Sequence, residues 1–421
     1  MAIDRRHFLK AAGAGAALAG ISGCATLGGA AKARVAVVGG GYGGATAAKY
    51  IRLLDPGIEV VLIEPNEAFV SCPISNMVLG GFRTIQDVTT PYSGLERHGV
   101  KVVRDTAAAI DAEKKQVRLA RGDPVAFDRV VVSPGIDFMW EALPAMGSAE
   151  AQAKVLHAWK AGPQTVALRA QLEAMPDGGV YVLSVPEAPY RCPPGPYERI
   201  CQVAAYFKAR KPRSKIIVLD ANADVTSKGP LFKKAWAELY PGMIEFRGNS
   251  KAVDVDWRGG AVKLEFAEQK GDVLNVVPPQ RAGAIAAPYI TANKRWCEVD
   301  WTTLESRAVK GVHVLGDSTL SAPLMPKSAS MANGHGKVAA AAIVALLNGE
   351  QPNASPTLVN TCYSMVSDKL AIHVASVHKY DARDRTFKTV PGSGGVSSAR
   401  NDAEASFTMN WAKNIWADTL L

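Results

Sequence analysis

Arg34 to Val38 is a short β-branched run that leads directly into Gly39-Gly40-Gly41-Tyr42-Gly43-Gly44, and Ala45 to Leu54 reads as the helix that follows. Strand, glycine turn and helix in that order restrict the chain to an α/β fold opening with a nucleotide-binding βαβ unit. Gly39 permits the tight turn, Gly41 lets the backbone approach a pyrophosphate, and Gly44 lets the helix pack close to the strand with its N-terminus facing the anion. A second strand, Glu59 to Ile63, ends at Glu64, 20 residues after Gly44. A carboxylate there accepts hydrogen bonds from an adenosine ribose. A glycine-rich turn without function contains the same glycines but leaves the register of strand, helix and acid unexplained.

The partners of this unit lie far along the chain. Arg129 to Val132, followed by Ser133-Pro134-Gly135, reads as a strand and turn returning to the nucleotide. Gly311 to Asp317 reads as a late strand whose Asp317 binds a ribityl chain, with a helix from Lys337 to Leu347 behind it. This pairing resembles the glutathione-reductase-like flavoproteins with two dinucleotide-binding domains, in which a discontinuous domain binds FAD. A second Rossmann-like unit begins at Gly179 to Ser184, but its glycine turn is replaced by Val185 to Pro196, VPEAPYRCPPGP, whose only glycine is Gly195. Proline removes the amides that would cradle a second pyrophosphate, so this unit is expected to lack an NAD site.

With 421 residues the chain has room for two or three domains. The expected division is an FAD-binding domain over residues 34–144 and 281–350, a second Rossmann-like domain over 145–280, and a C-terminal interface segment over 351–421. Hydrophobic residues at 48% and charged residues at 21% describe an ordinary globular chain. The formal charge of +9 is spread without a block of like charges, which argues against a nucleic-acid arm. An acidic protein partner and a merely soluble basic surface are equal readings of it.

Residues 1–31 read as a twin-arginine export signal: Arg5-Arg6-His7-Phe8-Leu9-Lys10 precedes a weakly apolar stretch, Ala11 to Gly23, too short to span a bilayer, which takes about 20 residues. Ile21-Ser22-Gly23-Cys24 reads as a lipoprotein box and Ala31 to Ala33 as an ordinary cleavage site, and both remain open. The expected location is the periplasm, with membrane contact only through a lipid on Cys24. The twin-arginine route carries folded proteins, which suits a tightly held organic cofactor.

Six cysteines occur, Cys24, Cys72, Cys192, Cys201, Cys297 and Cys362, with no C-x-x-C among them, so a zinc ribbon, a thioredoxin motif and c-type haem attachment are excluded within this chain. Cys192 precedes a helix expected over Pro196 to Arg210, capped by Gly195, where the helix dipole favours a thiolate. Glu198 in the first turn reads either as a proton carrier for sulfur chemistry or as an acid favouring the dipole. Cys201, on the apolar side of that helix, reads as a core thiol.

RCPPGPYE from Arg191, HAWKAG from His157, PPQRAG from Pro278, MPKS from Met325, GKVAAAA from Gly336 and NTCYS from Asn360 together resemble the flavoprotein subunit of flavocytochrome c sulfide dehydrogenase, from about Arg34 to the C-terminus. The resemblance implies a redox-active disulfide between Cys192 and Cys362 beside the flavin, with Glu198 close by. It also implies FAD attached covalently through Cys72 in Ser71-Cys72-Pro73-Ile74-Ser75-Asn76, although Pro73 and Met77 depart from the family's tyrosine and glutamate. Trp411 corresponds to a tryptophan near the disulfide, while Phe407, Trp411 and Ile415 also have the spacing of a helix core face. The implied activity is oxidation of sulfide, with electrons leaving through FAD to a separate c-type cytochrome subunit. A sulfide:quinone reductase and a catalytically silent flavin-binding subunit are the alternatives.

Overall fold

The computed structural model describes residues 31–291 and 293–421; the twin-arginine stretch and Cys24 lie outside them. Strand β1 (Ala33–Val38) runs into helix α1 (Tyr42–Leu54), followed by β2 (Ile58–Ile63), β3 (Val100–Val103) and β4 (Arg129–Val132). The strand that completes this sheet, Val312–Val314, arrives about 180 residues later and pairs with β4. All four pairings are parallel, with Val35 opposite Val60 on one side and Arg129 on the other. Val35, Val37, Val130 and Val131 are all fully buried. A parallel sheet covered on both faces needs such continuous apolar runs rather than alternation.

A second parallel sheet is built from β5 (Val180–Val185), β6 (Lys215–Asp220), β7 (Ile244–Arg247) and β8 (Val273–Val276), in the order β7-β6-β5-β8. Helix α2 (Gly195–Arg210) connects β5 to β6, and α3 (Gly229–Leu239) connects β6 to β7. Val312–Val314 is β9, after which come α4 (Ala329–Leu347), β10 (Thr357–Met365), β11 (Ala371–Asp381), β12 (Thr386–Thr389) and α5 (Asp402–Leu420). Strands β10 to β12 form an antiparallel meander, so the C-terminal segment adds a sheet of its own. Among the described residues no helix is long and apolar enough to cross a membrane.

Three helices begin earlier than the sequence indicates, α1 at Tyr42 rather than Ala45 among them. Helix α4 starts at Ala329, eight residues before Lys337, because Ser328 caps it by accepting the Met331 N–H at 3.1 Å. Its glycines are used for packing: a Cβ on Gly336 would lie 2.6 Å from the Gly43 carbonyl of α1. Helix α2 starts at Gly195 with Pro194 as its cap, one residue before the expected start. Cys201 within it is fully buried, and its sulfur accepts the Trp236 indole N–H at 3.3 Å, which makes it a core thiol as expected.

Candidate active site

The glycine turn performs three separate tasks. Gly39 has φ +100°, and a Cβ there would lie 2.4 Å from the Ser133 carbonyl, so only glycine allows β1 to end beside the turn after β4. A Cβ on Gly44 would lie 1.9 Å from the Gly39 carbonyl, which is the close approach of helix and strand. A Cβ on Gly41 meets nothing within 4 Å and faces open space. That space is a cavity of about 650 Å³ lined by the turn, by Glu64 and by Asp317. Glu64 is buried and accepts the Gly40 N–H at 2.7 Å and the Asn66 amides at 2.9 and 2.6 Å, which fixes its carboxylate at the cavity wall.

The same cavity is lined by Cys72, Cys192, Glu198, Cys362 and Trp411. They come from the segment after β2, the start of α2, strand β10 and helix α5. Cys72, Cys192 and Cys362 are each half-buried. Ser75 Oγ donates to the Cys72 carbonyl at 2.6 Å and closes the turn that presents the Cys72 sulfur. Cys192 has φ +60°, an uncommon conformation for a residue with a side chain, held by its N–H donating to the Lys327 carbonyl at 2.9 Å and its carbonyl accepting from Gly195 at 2.8 Å. A Cβ on Gly195 would lie 2.9 Å from the Cys192 sulfur, so the glycine of the CPPG sequence makes room for the thiol.

The structure carries Cys192 and Cys362 as free thiols, not as the disulfide that the resemblance implies. Burial pushes the Cys192 thiol well above its ordinary pKa, and Cys362 and Glu198 beside it push the same way. Burial thus acts against the thiolate that the α2 dipole is expected to favour there. Burial likewise raises Cys362, with the Lys228 ammonium opposing it.

Glu198 accepts the Met365 N–H at 3.0 Å on one oxygen and the Asn76 amide at 3.0 Å on the other. Burial raises its pKa, although these hydrogen bonds and Lys228 oppose the rise. A carboxyl raised in this way beside two thiols is chemically able to give or take a proton. Asp317 is also raised by burial, against the pull of Arg191 and Lys327. Trp411 is half-buried on the cavity wall, with its ring centroid 6.3 Å from that of Tyr363, the residue after Cys362. Of the supposed core face of α5, Ile415 is buried whereas Phe407 is 54% exposed.

Four contributors escaped the sequence reading. Asn76 links Glu198 to the buried Arg199, whose Nε donates to Asn76 Oδ1 at 3.1 Å. Although burial opposes its charge, Arg191 is held above its ordinary pKa by Cys72 and Asp317 at the cavity wall. Lys327, lowered by burial to about 7, donates to the Asp317 carbonyl at 3.0 Å and lies 3.7 Å over the Trp296 ring. Lys228 donates to the Cys362 carbonyl at 3.0 Å. Asn76, Arg191 and Lys327 lie within stretches already quoted, which was an available signal. Lys228 had none.

Comparison with known proteins finds matches on four stretches of the chain. Residues 165–278 match the family model described as sulfide dehydrogenase (flavocytochrome c) flavoprotein chain, central, and residues 354–420 match flavocytochrome c sulphide dehydrogenase, flavin-binding. Residues 33–171 match pyridine nucleotide-disulphide oxidoreductase, and residues 2–22 match the twin-arginine translocation pathway signal. The mitochondrial sulfide:quinone oxidoreductase of Mus musculus is 23% identical over 314 residues, 68% of this chain and 65% of that relative's length. The solved sulfide:quinone oxidoreductase of Aquifex aeolicus superposes with a TM-score of 0.71 at 18% identity, covering 92% of this chain and 91% of that one, which is a likeness of fold. The sulfide dehydrogenase (flavocytochrome c) flavoprotein chain of Chlorobaculum thiosulfatiphilum is 67% identical over 45 residues, 11% of this chain and 94% of that sequence. Identity at that level across almost all of a relative, reinforced by two family models on separate stretches, means that this chain belongs to the family of flavocytochrome c sulfide dehydrogenase flavoprotein chains.

Proposed function

We propose that this exported flavoprotein oxidises sulfide through a Cys192–Cys362 disulfide and a bound FAD, and passes the electrons singly to a c-type cytochrome subunit. The observation that carries the reading is convergence: two cysteines 170 positions apart, a buried carboxyl and a nucleotide-binding glycine turn line one cavity. FAD, when bound, supplies the two-electron acceptor. The residues fit it. The turn from Gly39 to Gly44 and the N-terminus of α1 would hold the pyrophosphate, Glu64 the adenosine ribose and Asp317 the ribityl chain, with Cys72 forming a thioether to the flavin ring. Glu198 takes or returns the proton exchanged by the sulfur groups, and Trp411 covers the cysteines from the α5 side.

On this reading residues 34–144 and 281–350 carry the flavin, 145–280 supply Cys192 and Glu198 on a unit without an NAD site, and 351–421 supply Cys362 and the cytochrome-facing surface. Export through the twin-arginine route places the reaction in the periplasm. The relationship to sulfide:quinone oxidoreductases over 68% of the chain supports a second reading, in which quinone is the acceptor. Anaerobic addition of sulfide to the purified protein tests both. Flavin bleaching followed by reoxidation with cytochrome c is expected. Reoxidation by quinone alone replaces the acceptor, and absence of bleaching overturns the enzymatic reading.

A further inference from the structure

Lys228 stands where a lysine is unfavourable for three separate reasons. It immediately precedes α3 with φ 56°, in the left-handed region that glycine or asparagine normally takes. It is at a helix N-terminus, where the backbone dipole repels cations. It is also buried, with 7% of its surface exposed. Its Nζ donates to the Cys362 carbonyl at 3.0 Å and to Ser364 Oγ at 2.8 Å, both of them neutral acceptors on β10. Among the described residues no carboxylate oxygen comes within 4.0 Å of its ammonium group. A buried cation needs an anion.

Burial lowers the Lys228 pKa, and the groups that oppose this are, in order, Cys362, Glu198, Cys192 and Glu404. Two of these four are the cysteines of the site. The environment is also unequal between them. Beyond burial, Cys192 is raised by Cys362 and Glu198 ahead of the lowering by Arg191 and Lys228, whereas the first influence after burial on Cys362 is the lowering by Lys228, ahead of Glu198.

We propose that Lys228 is a positioning residue whose fixed positive charge receives the sulfur anion at Cys362 when the Cys192–Cys362 bond opens, making Cys362 the leaving sulfur and Cys192 the one attacked. This rests on the disulfide reading above. Hydrosulfide gives an electron pair to Cys192 Sγ, a new S–S bond forms there, and the bond to Cys362 breaks. The broken bond's pair stays on Cys362 Sγ. Cys192 then carries a persulfide, S–SH, and Cys362 a thiolate: one negative charge enters with hydrosulfide and one remains on Cys362, and no proton moves. The two hydrogen bonds from Nζ to β10 hold the ammonium on the strand that carries the sulfur and set it to favour that charge.

The test is alkylation of the chemically reduced holoprotein by iodoacetamide across about pH 6 to 10, with the Cys192 and Cys362 peptides resolved by mass spectrometry. In the unaltered protein Cys362 is expected to react at lower pH than Cys192. In Lys228→Met the Cys362 profile moves to higher pH, with reaction at neutral pH about tenfold slower, while Lys228→Arg restores it. The flavin spectrum reports folding in each variant. Cys192 reacting at lower pH than Cys362 in the unaltered protein overturns the proposal without any variant, as does an unchanged Cys362 profile in folded Lys228→Met. Peptide mapping of the protein as isolated, without reductant, separates the two levels: a missing Cys192–Cys362 link rejects the disulfide reading itself, whereas a link present alongside either overturning result rejects only the role of Lys228.

Discussion

Cys192 lies just before helix α2 and Glu198 in its first turn, and the loss of water around them is the largest influence on both. The raised carboxyl has a consequence for stability with a definite sign. A group whose folded pKa lies above its unfolded value supports the fold at low pH and loses that support as pH rises through the folded value. Glu198→Gln cannot ionise, so its melting temperature should improve relative to the unaltered protein as the pH is raised from about 4 through neutrality. The same substitution should slow flavin reduction by sulfide about 100-fold, since a positioned proton carrier contributes on that order. Thermal melts across the pH range and stopped-flow bleaching check the two effects. At Cys72, whose sulfur faces the cavity, Cys72→Ala should release its FAD on acid precipitation while the unaltered protein stays fluorescent on a denaturing gel. Retention of flavin by the variant moves the attachment elsewhere.

At the scale of elements, the strand β1, its turn and α1 make two glycines predict opposite phenotypes. Gly44→Ala puts a methyl group 1.9 Å from the Gly39 carbonyl, and the resulting separation of helix and strand should cost about 3 kcal/mol, the upper part of the overpacking range. Gly41→Ala meets no protein atom within 4 Å and its backbone, at φ −73°, suits any residue. It should melt like the parent as apoprotein yet bind FAD poorly, because the methyl group occupies the approach of the pyrophosphate. Chemical denaturation and flavin titration distinguish the two. The loop between β5 and α2 carries the proline-rich VPEAPYRCPP in place of a second glycine turn. NADH at micromolar concentration should therefore leave the flavin oxidised, and rapid bleaching would refute the absence of a second nucleotide site.

Over the whole molecule, the cavity is lined by residues from the first parallel sheet, from the loop and helix α2 that follow β5, and from the C-terminal meander and α5. Lys49 of α1 donates to the Ala417 carbonyl at 3.0 Å and Trp416 donates to Tyr42 at 3.0 Å, which fastens α5 across the glycine turn. An exported flavoprotein that collects two electrons needs a carrier to remove them, and this sequence contains no C-x-x-C-H. A haem-bearing polypeptide should therefore co-purify with the protein from its native host. A haem-free preparation whose turnover is restored by membranes but not by cytochrome c would replace the cytochrome with quinone.

Local patterns were sufficient for the elements that depend on local rules. Strand β4 lies over Arg129–Val132 as its β-branched run indicates, and the three glycines of the first turn each do what strand–turn–helix geometry requires. Its place before a helix marked Cys192, and the resemblance alone added Cys362 and paired the two. The early start of α4 was hidden because Asn333, Gly334 and Gly336 look like a loop until α1 is packed against them, where a missing Cβ becomes a fit. Only the tertiary structure could decide the ionisation tendencies, since helix position suggests a favoured thiolate at Cys192 but burial depends on what the distant strand β10 and helix α5 cover. Lys228 shows the same division most sharply: in sequence it is one lysine among many, and its chemistry comes from a strand 134 positions away whose Cys362 carbonyl accepts its hydrogen bond.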